Sequence, residues 1–264
     1  MENEKKVYIS NQTAKRLLHD VKNIMKNPLE DDGIYYRHDE TNIMKGYALI
    51  VGPSDTVYEN GYYLFEIDYP DNYPHSPPVF TYYTNDCVTR FNPNLYRNGK
   101  VCLSILNTWR GEGWTSCQTI SSVLLTVCTI LCKNPLLNEP GITINHKDLH
   151  KYNDIIKYKN IEVAILGLVE SPEKYIGNKF TIFKELMEKL FLVNYENIYK
   201  SVENGLNIFK KTKTITTSIY NLEILIDYQD VFKKLKSTYH RLEKKKNLNL
   251  SDKKKSKKIN TKIN

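Results

Sequence analysis

At 264 residues with 41% hydrophobic content, the chain has the material for a real core, as one large domain or as a medium one with an appendage. The polar start Met1-Glu2-Asn3-Glu4-Lys5-Lys6 leads into no apolar run of signal-peptide length, and the most apolar stretch, residues 161–169, is too short to span a bilayer. Secretion and a membrane span are therefore not expected, and the net charge of +8 belongs to the end: residues 231–264 hold 13 Lys or Arg against Glu243 and Asp252, while residues 1–230 sum to about −3.

In chain order, Asn11 or Thr13 is a candidate cap for a first helix in which Leu17, Leu18, Val21, Ile24 and Met25 recur at helical spacing, ending before Asn27-Pro28. Residues 46–51, 62–68 and 79–83 read as strands, punctuated by Gly-Pro, Asn-Gly and Pro-Pro, and give three or four antiparallel strands in meander order. The prolines between Tyr69 and Pro78 exclude a helix or a central strand, so this segment crosses an end of the sheet in extended form. Residues 118–132 carry Ile120, Val123, Leu124, Val127, Ile130 and Leu131 on one broad face, a central helix lying on the sheet and stopped by Asn134-Pro135.

Beyond Gly141 the pattern turns helical near 147–158, 160–169, 179–200 and 223–246, with residues 205–220 as a loop or a short irregular strand. These patterns predict an N-terminal segment over 1–9, a core domain over 10–170, a separate helical extension over 171–246 and a basic, disordered tail over 247–264. The lysines of residues 244–262 are suited to nucleic acid or another anionic surface, but no interleaved aromatics accompany the last 20 residues, and a solvated end is the simpler reading.

The chemistry gathers in Arg90-Phe91-Asn92-Pro93-Asn94-Leu95-Tyr96-Arg97-Asn98-Gly99-Lys100-Val101-Cys102-Leu103-Ser104-Ile105-Leu106. Pro93-Asn94 and Asn98-Gly99 are turn signals, and the apolar residues from Val101 present a cysteine eight positions after an amide donor. That spacing suggests a thioester site. Of the other four cysteines, Cys128 and Cys132 lie one helical turn apart, but the apolar setting favours packing over metal ligation, and no metal is assigned. A cysteine-protease reading needs His146 or His75 brought in by the fold, since no His lies near Cys102 in sequence.

Those residues resemble the active-site segment of ubiquitin-conjugating enzymes, in which a Phe-His-Pro-Asn run precedes a loop ending in Gly and then the catalytic Cys. Asn92 stands where the family carries a His that braces the active-site flap. The resemblance extends upstream through Gly52-Pro53, Tyr58, Gly61 and the run from Tyr69 to Pro78, and downstream through Trp114, Ile120 to Leu125 and Asn134 to Pro140. The stretch Asn107 to Trp114, about four residues longer than in the smallest members, is similar to the larger Z-type ubiquitin-conjugating enzymes, as are Asn138-Glu139-Pro140-Gly141 and the helical region past residue 150.

The resemblance implies an α+β, UBC-like fold: an N-terminal helix, a four-stranded antiparallel meander, an active-site flap, a central helix and C-terminal helices. It also implies a transferase that accepts ubiquitin or a ubiquitin-like modifier on Cys102 from an activating enzyme and passes it to a lysine. A thiolate is both nucleophile and leaving group, so such a cysteine needs no dyad base. Asn94 is the candidate donor to the oxyanion that develops when the amine attacks, with capping of the turn as its structural alternative. Glu139 aligns with the family's acidic gate, where a carboxylate orients a lysine that is almost wholly protonated at neutral pH.

No directly bound cofactor is implied, because ATP is used by the upstream activating enzyme. Partner surfaces are implied at Lys15, Arg16 and Lys22, at His75-Ser76 and at Thr115-Ser116-Cys117, though both loops lack the usual apolar residues, so docking of a ubiquitin ligase is left open. Two other readings stand beside the enzyme: an inactive scaffold of the same fold that binds modifier or ligase, and nucleic-acid binding through the tail. Which modifier, activating enzyme, substrate lysine and chain linkage are used is not legible in the sequence.

Overall fold

The computed structural model describes residues 9–177 and 179–260, leaving aside the side chains of residue 176 and of residues 249–260. Helix α1 (Asn11–Lys26) is capped ahead of both expected positions, Asn11 and Thr13: Ser10 takes the N-cap and accepts from Thr13 N at 3.0 Å. It buries Leu17, Val21 and Ile24, whereas Leu18 and Met25, members of the same apolar pattern, remain exposed.

Strands β1 (Ile34–His38), β2 (Lys45–Val51), β3 (Tyr62–Asp68) and β4 (Val79–Tyr82) form an antiparallel sheet in sequential order. β1 is an edge strand ending in Arg37-His38, and its polar content is why apolar patterning alone marks it weakly. β3 is buried at every position from Tyr62 to Ile67, so the sheet is covered on both faces. On one face Tyr63 meets Tyr58, Phe91 and Asn160. On the other, Tyr62 Oη donates to Met187 O at 3.2 Å, Lys179 Nζ to Glu66 at 2.7 Å, and Phe180 packs edge-on against Tyr47 and Tyr83.

This second cover overturns the expectation of a separate helical lobe. One continuous cluster of buried side chains runs from Leu17 to Leu242, because a sheet apolar on both faces must be roofed twice. The central helix α2 (Ile120–Ile130) carries a Thr119–Ser122 capping box and buries the face read from sequence, Leu131 included. Helix α3 (Leu149–Lys159) runs on through a π-helical stretch, Asn160–Gly167, into α4 (Leu168–Glu170), and α5 (Pro172–Ile176), α6 (Lys184–Val193) and α7 (Tyr195–Ile208) follow.

The second correction concerns residues 205–227. Strands β5 (Lys213–Thr217) and β6 (Leu222–Ile226) pair as a regular antiparallel hairpin that packs on α3; a loop or a short irregular strand was expected over 205–220, and the start of a helix where β6 lies. In β6 the buried residues are Leu222, Ile224 and Ile226 and the exposed ones Glu223 and Leu225, the period-2 signature of a strand. Helix α8 (Tyr228–Asn260) continues past residue 247 with helical backbone, where a disordered tail was expected; its Lys-rich sequence favours helix once Tyr228, Val231, Leu235 and Leu242 anchor its start in the core. The expected segment 1–9 lies almost wholly outside the described residues, as do the side chains of most of the lysine tail. Among the described residues no helix is long and apolar enough to cross a membrane.

Candidate active site

The loop from Arg90 to Cys102 is held from below by Asn92, which is fully buried. Its Nδ2 donates to Tyr58 Oη and to Ile130 O, both at 2.8 Å, and its Oδ1 accepts from Asn94 N at 2.9 Å. Tyr58 Oη donates in turn to Phe91 O at 2.7 Å. The bracing expected of a His is thus carried by a carboxamide, which offers two donor hydrogens and an acceptor where a neutral imidazole has one of each.

Asn94 and Cys102 meet through a reciprocal pair of bonds: Cys102 N donates to Asn94 O at 2.9 Å, and Asn94 Nδ2 donates to Cys102 O at 2.8 Å. In the resting chain the amide thus grips the cysteine's carbonyl. Asn94 Oδ1 is buried and has no hydrogen-bond partner among the described residues.

Cys102 as a residue is 3% exposed, and its Sγ donates to Thr108 O at 3.1 Å. Thr108 fastens this cover: its Oγ1 accepts from Leu103 N at 2.9 Å and faces Val101 O and Leu103 O at 2.8 and 3.1 Å. Asn107, at a left-handed φ of 56°, accepts from Trp114 N at 2.8 Å through Oδ1 and so ties the two ends of the longer loop together. Trp114 is a core residue, its indole N–H donating to Pro74 O at 2.7 Å, whereas Trp109 lies exposed on the loop.

Glu139 follows the short 3₁₀ turn Pro135–Asn138 and is half-buried. Its Oε2 accepts a hydrogen bond from Tyr220 Oη, a residue of the β5–β6 turn that sequence reasoning did not single out. Burial and the adjacent Glu139 carboxylate push the Tyr220 phenol well above its usual range, so it remains a donor at physiological pH. Arg90 lies 3.3 Å from the Tyr96 ring centroid and 5.3 Å from that of Tyr220, and donates to Asn92 O at 3.0 Å and Pro93 O at 2.6 Å. Arg97 Nη2 donates to Tyr220 O at 3.0 Å. No motif in the sequence links these groups; the basic residues flanking the Pro-Asn turn are their only trace.

Of the expected docking residues, Arg16 is engaged within the chain. Its guanidinium donates to Ser116 O at 2.6 Å, Gln118 O at 2.8 Å and Asp20 at 2.9 Å, which fixes the 115–118 loop to α1. Among the other cysteines, Cys87 and Cys117 are exposed, and burial raises the thiols of Cys128 and Cys132.

Residues 16–165 match the family described as "Ubiquitin-conjugating enzyme". Among curated relatives, ubiquitin-conjugating enzyme E2 Z of Homo sapiens is 40% identical over 192 residues, covering 70% of this chain and 51% of the human one. The Xenopus tropicalis protein of that name is 39% identical over 73% of this chain and 60% of its own length. That of Danio rerio is 35% identical over 89% of this chain and 70% of its own. The chain therefore spans about half to two thirds of the length of these relatives.

Proposed function

The chain belongs to the ubiquitin-conjugating enzyme family, and from that premise we propose that it accepts ubiquitin or a ubiquitin-like modifier as a thioester on Cys102 and transfers it to a lysine amine. The observation that supports this reading is the reciprocal pair of bonds between Asn94 and the Cys102 backbone, which keeps a carboxamide on the residue that would carry the acyl group. Transfer onto Cys102 exchanges one thioester for another at almost no free-energy change, so the chain needs no base to receive its cargo. Transfer onward breaks the Sγ–C bond and forms a C–N bond, and negative charge develops on the carbonyl oxygen between the two.

Asn94 is the donor for that charge. Its Nδ2, which holds the Cys102 carbonyl at rest, is the group that would donate. Glu139 supplies the carboxylate that orients the amine. The Thr108 cover has to give way as the modifier's C-terminus arrives, because the thiol is buried beneath it. Activating enzyme, modifier and protein substrates are the implied partners.

The test is a non-reducing gel after incubation with activating enzyme, ATP and ubiquitin. The parent should give a reductant-sensitive adduct, Cys102→Ser a reductant-resistant ester, and Cys102→Ala none. No adduct with a panel of activating enzymes and modifiers would favour the inactive scaffold, and an unchanged adduct in Cys102→Ala would move the nucleophile elsewhere.

A further inference from the structure

The β5–β6 hairpin lies far from Cys102 in sequence, yet its turn is pinned against the active-site loop from three sides. From α3, the buried Asp148 accepts from Ser218 N at 2.9 Å, Ser218 Oγ at 2.6 Å and Ile219 N at 3.1 Å, so one carboxylate holds the turn by three charge-assisted bonds. From the active-site loop, Arg97 grips the Tyr220 carbonyl and Arg90 lies over the Tyr220 ring while bonding the carbonyls of Asn92 and Pro93. From behind, the Tyr152 ring stands 6.0 Å from that of Tyr220, and Tyr152 Oη donates to Arg90 O at 2.6 Å.

The turn also carries two non-glycine residues at positive φ. Tyr220 and Asn221 sit at φ of 59° and 49°, in the left-handed region, which Asn enters readily but a tyrosine enters at a penalty of about 1 kcal/mol or more. Placing a tyrosine in this conformation sends its hydroxyl to Glu139, eighty-one positions away in sequence.

We propose that Tyr220 is a positioning residue for lysine transfer, fixing the Glu139 carboxylate through Oε2 so that Oε1 faces the incoming amine. The segment beyond residue 210 is then a working part of the site. The inference rests on the reading of Glu139 as the group that orients the lysine. In the step concerned, the ammonium sheds one proton to expose its lone pair and a second once the C–N bond has formed. Both protons reach bulk water, the first by way of Oε1, and the electrons of the broken C–S bond leave on Cys102 Sγ as thiolate. A carboxylate held at one oxygen presents the other in a fixed direction, whereas a free glutamate spreads over several rotamers.

The test charges Cys102 with ubiquitin in a single round, stops the activating enzyme with EDTA, and follows loss of the thioester to free lysine and, separately, to a small thiol. Tyr220→Phe keeps the ring against Arg90 and Tyr152 and removes only the hydroxyl. It should slow discharge to lysine at pH 7 by about fivefold to tenfold, the range of one lost hydrogen bond, and leave discharge to the thiol within about twofold of the parent. The deficit should narrow toward pH 9.5, where more of the lysine is already the free amine. In a Glu139→Gln background, Tyr220→Phe should add less than about twofold, as two residues acting through one group do not add.

Three outcomes would overturn it. If Glu139→Gln discharges to lysine at the parent rate, the gate reading fails and this inference falls with it. If Glu139→Gln is slow while Tyr220→Phe matches the parent, Glu139 acts without Tyr220 and the inference alone fails. If Tyr220→Phe slows lysine and thiol alike, the hydroxyl serves the fold of the loop and has no part in positioning the amine.

Discussion

Replacing Asn92 by Ala should be among the most damaging single changes in the molecule, and its size can be worked from the contacts. The substitution removes two donors and one acceptor from a fully buried site. Asn94 N–H is left without its acceptor, and Ile130 O keeps only a long 3.4 Å bond from Asn138 Nδ2, while Tyr58 Oη still donates to Phe91 O. At about 1–3 kcal/mol for each buried group left unpaired, plus the void of a carboxamide, the loss comes to roughly 3–5 kcal/mol, a large share of the ~5–15 kcal/mol that holds a typical domain.

Urea denaturation reads this as a lower midpoint at unchanged slope. Asn92→His, which keeps one donor and one acceptor, should lose about 1 kcal/mol from the missing bond and somewhat more from its larger ring. A loss below about 1 kcal/mol in Asn92→Ala would refute the reasoning, because it would mean that the loop is held by other contacts.

Other outcomes follow from the same contacts. Burial drives the Glu66 carboxyl up, but hydrogen bonds from Lys179, Lys45 and Tyr83 outweigh it and hold the group at about 2, below its ordinary 4.5. A depressed carboxyl stabilises the fold above its unfolded value and loses that contribution as pH falls through its folded one, so stability should decline between about pH 4.5 and 2. Glu66→Gln should flatten that limb in acid-unfolding curves followed by circular dichroism. Asp148→Ala strips three donors of their shared acceptor and should destabilise the chain by about 2–3 kcal/mol in the same urea assay. Thr108→Ala removes the hydroxyl that fastens the cover over Cys102, so iodoacetamide should alkylate that thiol several-fold faster, by peptide mass spectrometry, with little change at the exposed Cys87 and Cys117.

How much the sequence disclosed depended on distance along the chain. The pairing of Asn94 with Cys102 was legible because two turns within eight residues set it locally, and α2 because its buried face repeats at the helical period. The roof over the second face of the sheet was implied but not read: Tyr62 to Ile67 is apolar at both parities except for Glu66, and that buried acid calls for the cation that Lys179 brings. The β5–β6 pairing was only half legible, as a loop or a short irregular strand, because its turn lacks Gly or Pro and puts Tyr220 and Asn221 at positive φ instead. The bond from Tyr220 to Glu139 joins segments that share no local pattern, and only the fold brings them together. Asn92, which stands where the family carries a His, braces the loop with three bonds of its own.

A pulse-chase on Asn94→Ala tests most directly the claim that Asn94 serves acyl transfer from Cys102. The variant is charged once with ubiquitin, the activating enzyme is stopped, and loss of the thioester to added lysine is timed against the parent. Charging at the parent level with discharge slowed about a hundredfold is the predicted result, the loss typical of one oxyanion donor. Discharge at the parent rate would contradict the claim, and failure to charge would assign Asn94 to holding the loop alone.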